Sequence, residues 1–124
     1  RGLISDLLTL RADFVEKYPA TVQKIVDAYF EALSWAKTNP QEALDIVGKE
    51  LNQKPEDIQQ QLLGLEVLSL EQNEEAFRSG FHSLSLYLQL GDIIKFVHSL
   101  DRESKGNLEP GLLIDPRFVI SPTR

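Results

Sequence analysis

His82 and His98 are the only two histidines in the chain, and their separation fits no helical metal pair such as i and i+4. A surface or capping role is therefore expected of each. Glu74 and Glu75 are adjacent in sequence, so on a helix they point to different sides and cannot share one acid/base site. The serines (Ser5, Ser34, Ser69, Ser79, Ser83, Ser85, Ser99, Ser104 and Ser121) include none in a Gly-x-Ser-x-Gly elbow, and the seven glycines form neither a P-loop nor a Gly-x-Gly-x-x-Gly turn. Nucleophilic catalysis and nucleotide binding thus have no motif, and the chain reads as a non-enzyme without a cofactor, a metal site or assignable ligand-binding residues. The aromatics, Trp35 and Tyr87 among them, fall mostly on helical stripes and read as core before binding platform.

Composition narrows the classes further. The formal net charge is −6 over 124 residues, with acids spread along the chain, so nucleic acid or an anionic membrane has nothing to bind. No cysteine is present, which removes disulfides, thiolate chemistry and cysteine-based zinc sites. No apolar run approaches the roughly 18 to 20 residues that span a bilayer. The opening "RGLISDLLTLR" has no Met and no leader, which is expected of a cut inside a larger polypeptide; a natural short protein is the second reading.

The elements that would position any site are mainly helical: about five helices with one or two short strands, in a single unit. Residues 1–11 hold a strand at residues 3–10, an apolar, branched and partly alternating run. Residues 12–104 form the helical block. A short helical turn is expected over residues 12–18, and Pro19 then starts a long helix. In it Val22, Ile25, Val26, Tyr29, Phe30, Leu33 and Ala36 make one stripe, with Trp35 at its edge. "TNPQEAL" predicts a junction in which Asn39 caps, Pro40 opens the next helix and Glu42 completes a capping box. Ala43, Leu44, Val47 and Leu51 are its expected inner face. Pro55 starts a third helix and Gly64 ends it.

"LEVLSL", residues 65–70, is either a short strand or an extended link. Ser69 with Gln72 forms a capping box for the next helix, which Gly80 closes. A last long helix is expected over residues 83–104, with Leu84, Tyr87, Leu90, Ile94 and Val97 on one line and Leu86, Leu88, Ile93, Phe96 and Leu100 widening the apolar surface. Such a helix expects neighbours on more than one side. "RESKGNLEPG" is a loop, and residues 105–124 are expected to lie as an extended tail over the body.

In order along nearly the whole chain, "DLLTLRADFVEKYPATVQKIVDAYFEALSWAKTNPQEALDIVGKELNQKPEDI", then "LEVLSLEQNEEAF", then "LIDPRFV" resemble the C-terminal part of the solute-binding proteins of ABC importers. The branch is the nitrate, sulfonate and taurine type, with relatives that bind thiamine-precursor pyrimidines. The resemblance implies an extracytoplasmic protein of two α/β lobes that clamp a small-molecule ligand and deliver it to the importer's membrane subunits. It places residues 3–10 as the strand returning just after the hinge and the helices as scaffold for the first lobe. The lobe with most of the family's binding residues lies outside this sequence, so no ligand contact carries over. A ligand-sensing receptor domain of the same fold, or a free-standing helical interaction module, are the alternatives. An unpaired strand edge and the broad apolar surface of the last helix also lead us to expect self-association.

Overall fold

The computed structural model describes residues 6–78, 80, 85–100 and 108–120. Prolines decide where the chain changes direction. Helix α1 (Ala12–Lys17) ends at Tyr18, whose backbone leaves the helical region before Pro19, and helix α2 (Pro19–Thr38) starts with that proline in its first turn. Tyr18 serves both helices: its N–H donates to Phe14 O at 2.9 Å, while its carbonyl accepts from the N–H groups of Thr21 and Val22 at 3.0 and 3.1 Å. Pro40 and Pro55 open α3 (Pro40–Leu51) and α4 (Pro55–Leu62) by the same logic. The short helix α5 (Leu70–Ala76) and the longer α6 (Leu86–Leu100) complete the helical set. The chain is mainly helical, with six α-helices and two single 3-10 turns among the described residues.

The long helix α2 is the spine. It packs against α1, α3 and the second 3-10 turn, while α3 packs against α4 and α6 against the first 3-10 turn. Val22 and Val26 are the buried centre of its stripe; Phe30, Leu33 and Ala36 are half-buried, and Ile25 and Tyr29 lie on its open margin. Ile58 of α4, Ala76 of α5 and Val119 of the tail complete the buried apolar set among the described residues. That is a small core. The chain's accessible surface of 9989 Å² is about half as large again as the roughly 6,700 Å² expected of a compact monomer of its mass.

Several expected features take a different form. No strand occurs among the described residues: residues 6–10 of the predicted strand are exposed and unladdered, and residues 3–5 lie outside the described set. An alternating run becomes a strand only beside a hydrogen-bonding neighbour, and none of the described residues pairs with this one as a strand. Residues 65–69 are likewise a link rather than a strand. The capping box at α3 does not form. Asn39 Nδ2 instead donates backwards to Trp35 O and Thr38 Oγ1, each at 2.9 Å, so its amide closes the end of α2 rather than the start of α3.

The inner face of α3 is also turned from its expected position. Ala43 and Leu44 are half-buried and Gly48 is buried, whereas Val47 and Leu51 are exposed. Close approach at the α3–α4 turn sets this rotation: Gln53 N–H donates to Gly48 O at 2.8 Å, and a Cβ on Gly48 would meet Gln53 O at 2.8 Å. Helix α5 stops at Ala76, before Gly80: Phe77 N–H still donates to Asn73 O in the α pattern at 2.9 Å, and Arg78 N–H then tightens onto Glu75 O at 3.1 Å. Residues 105–107 and 121–124 lie outside the described set, and over its described residues, 108–120, the tail is not extended. It forms two 3-10 turns, Pro110–Leu112 and Pro116–Phe118, each opened by its proline.

Other expectations hold. Gly64 follows α4 at φ 93°, a conformation that favours glycine. The box at α5 is complete: Gln72 N–H donates to Ser69 Oγ at 3.3 Å and Ser69 N–H to Gln72 Oε1 at 2.8 Å. The last long helix is present as α6, and the outer parts of its expected range, residues 83–84 and 101–104, lie outside the described set.

Two substitutions test these local arguments. Ser69→Ala removes the acceptor of the α5 box and is expected to cost about 1 kcal/mol, read as a lower urea midpoint at unchanged slope. Gly48→Ala forces a side chain against a backbone carbonyl and is expected to cost about 1–3 kcal/mol by the same measurement. A neutral Gly48→Ala would show that the α3–α4 turn relaxes freely.

Candidate functional site

Among the described residues, the groups that carried chemical promise in the sequence do not converge. His98 sits half-buried on α6, and His82 lies outside the described residues. Glu74 is half-buried and Glu75 exposed on α5, on different sides of the helix as their adjacency requires. Trp35 keeps 40% of its surface exposed, and Tyr87 is half-buried on α6. Ser69 is engaged in its cap, and Ser99 Oγ donates to Phe96 O at 2.6 Å within α6. Ser34 is exposed, whereas Ser5, Ser79, Ser83, Ser104 and Ser121 fall outside the described set. Among the described residues no group of three or more metal-ligating side chains gathers. Nor do the described residues bring nucleophile, base and orienting acid to one place.

Three features were not legible as sites. The first is an open concavity of about 430 Å³ at the α3–α4 turn, lined by Asp45, Gly48, Lys49, Asn52, Gln53, Lys54 and Pro55. Asn52 there adopts the left-handed conformation at φ 53°, the one non-glycine residue to do so among those described. Asparagine tolerates it better than most residues, which makes "LNQKP" a turn signal visible in the sequence. The concavity is lined by one carboxylate and two ammonium groups on flexible stems and faces solvent broadly. It lacks the apolar enclosure that buries most of a small ligand.

The second is Ser85, which precedes α6. It is only 1% exposed, and its Oγ has no hydrogen-bond partner among the described residues. Its backbone carbonyl accepts from Gln89 N–H at 3.2 Å, so the main chain is engaged while the hydroxyl is not.

The third is the most organised polar cluster, built from the "IDPRF" stretch. Asp115 Oδ1 accepts from Arg117 N–H at 3.1 Å and so caps the second 3-10 turn. The Arg117 guanidinium returns to the same carboxylate, with Nη2 to Oδ2 at 2.7 Å and Nε to Oδ1 at 2.9 Å. Arg117 Nη2 also reaches Glu16 Oε1 on α1 at 3.0 Å. Next to it, Gln23 Nε2 donates to Phe118 O at 3.2 Å and to Asp27 Oδ1 at 3.0 Å, tying the tail to α2.

The chemistry open to this cluster is limited by its own satisfaction. The hydrogen bonds and charge of Arg117 hold the Asp115 carboxyl below its ordinary value, away from the range useful to a general acid or base near neutrality. Arg117 Nε and Nη2 are engaged by Asp115 and Glu16, which raise it still further from neutrality and turn that edge of its fork to carboxylates rather than to a ligand anion. The cluster is a latch between tail, α1 and α2.

Set beside known proteins, the chain matches no family model, no curated protein and no solved structure.

The latch makes a pH prediction. Asp115 has a folded-state value below its unfolded one, so its stabilising contribution is complete above the ordinary aspartate range near pH ~4 and is lost as pH falls through the lower folded value. Urea midpoints of wild type and Asp115→Asn should therefore differ at neutral pH and converge on acidification. A difference that persisted at the acid end would place the effect in packing rather than in the ion pair.

Proposed function

We propose that this chain is the C-terminal, helical part of an extracytoplasmic solute-binding protein that delivers a sulfonate, nitrate or pyrimidine-class molecule to the membrane subunits of an ABC importer. The observation that carries the reading is the ordered resemblance along the chain, from the run at residues 6–10 through the Asn39–Pro40 junction to Ile114–Phe118. Two structural facts support it. Leu7, Leu8 and Leu10 are 49%, 65% and 38% exposed where the resemblance places a strand just after a hinge, as befits a strand whose sheet belongs to another part of the polypeptide. The α3–α4 concavity is too open to clamp a ligand by itself, in keeping with binding contacts supplied by the other lobe.

The same reading gives the most organised cluster a role. A latch that fastens the tail onto α1 and α2 holds the scaffold together without occupying a ligand site.

Thermal unfolding of the complete polypeptide that carries this chain, with taurine, nitrate or an aminopyrimidine added in turn, tests the proposal. A ligand present at about a hundredfold excess over its Kd stabilises the folded state by about 2.7 kcal/mol, so one of the three should raise Tm by several degrees. The chain alone should show no shift with any of them. Failure of all three classes to stabilise the complete polypeptide would overturn the assignment, and a shift seen with the isolated chain would relocate the site to its own helices.

A further inference from the structure

Helix α6 presents three different sides. Tyr87, Gly91, Ile94 and His98 recur at the 3.6-residue period on its half-buried side, where a Cβ on Gly91 would lie 3.8 Å from Pro110 of the first 3-10 turn. Asp92, Lys95 and Ser99 form a wet side, with Lys95 Nζ 3.3 Å from Asp92 Oδ1 and both side chains about four-fifths exposed. The third side holds Ile93, Phe96, Val97 and Leu100, spaced i, i+3, i+4, i+7. These are 52%, 62%, 49% and 71% exposed. Scattered apolar residues on a surface are ordinary, whereas four on one continuous helical ridge mark a contact face.

We propose that this ridge is the contact between two copies of the chain, with the two α6 helices antiparallel across a two-fold axis near Phe96 and Val97. Area sets the first condition. Covering the four side chains removes roughly 500 Å² from each copy, about 1,000 Å² for the pair, which reaches the lower bound of a specific interface. Charge chooses the occupant. The chain carries a net −6, yet the ridge has no charged residue, and its neighbours Asp92 and Lys95 neutralise each other. It is thus a place where two acidic copies meet with little repulsion, while a basic partner would be drawn to the acidic surface elsewhere.

Self-complementarity supplies the third condition. When Phe96 of one copy faces the partner's Val97, Ile93 faces the partner's Leu100, so each half of the ridge meets the other half and the contact closes on itself. Ridges at this spacing interlock in antiparallel helix pairs. The inference uses α6 alone and stands whether or not the transport reading holds.

Sedimentation equilibrium of the chain from about 1 to about 300 µM, run at low and moderate salt, reads the outcome. The mass should rise from monomer to dimer with concentration, and added salt should tighten the dimer by screening the like net charges. Phe96→Glu should weaken dimerisation at least about tenfold while the far-UV circular dichroism stays unchanged, and Phe96→Leu should leave it near wild type. Ile93→Lys on the same ridge gives a second reading should Phe96→Glu alter the spectrum. A monomer throughout the range, assembly beyond the dimer, or a dimer indifferent to both charged substitutions overturns the proposal.

Discussion

Burial of the Val22 and Val26 face of α2 is the constraint on which the rest of the described structure depends. An amphipathic helix of 20 residues with one apolar stripe is stable in water only when that stripe is covered. The neighbours of α2 each contribute cover: α1 folds back at Pro19, α3 at Pro40, and the tail returns from far along the chain to lie against it. The tail's return is the costly one, because it closes a long loop. Buried Val119 and the bonds from Gln23 and Glu16 to Phe118 and Arg117 offset that loss of freedom together.

That dependence explains how the cover divides between local and distant signals. Helix starts were legible because a proline in the first turn acts within its own few residues, as at Pro19, Pro40 and Pro55. The Ser69–Gln72 box and the turn at Gly64 were legible for the same reason. Asn39 was read correctly as a junction residue and wrongly as an acceptor, because its side chain serves either helix and only the positions of Trp35 O and Thr38 decide between them. The strand at residues 3–10 depends on a neighbour that no pattern within the run can supply. The tail's turns depend on Asp115 and Pro110, whose turn chemistry was visible but outweighed by an extended reading of a short, proline-bearing segment.

The candidate sites were legible to a smaller degree. The stretch that holds Asp115 and Arg117 entered the sequence reading only as part of a resemblance, and the ion pair that reaches Glu16 comes from the return of the tail to α1. Ser85 had no signal at all, since its burial reflects how the chain packs before α6 rather than any property of its neighbours in sequence.

A chain with an ordinary share of apolar residues and few of them buried must present the rest outward, and the two largest exposures differ in kind. Leu7, Leu8 and Leu10 belong to an extended segment, where backbone N–H and C=O groups need partners as well as the side chains. Another stretch of chain able to exchange hydrogen bonds meets both needs at once. The ridge on α6 is different, because the helix already satisfies its own backbone and only side chains remain uncovered. A matching ridge is enough to cover it. The two surfaces therefore differ in what covering them requires: hydrogen-bonding groups as well as apolar area for the first, and apolar area alone for the second.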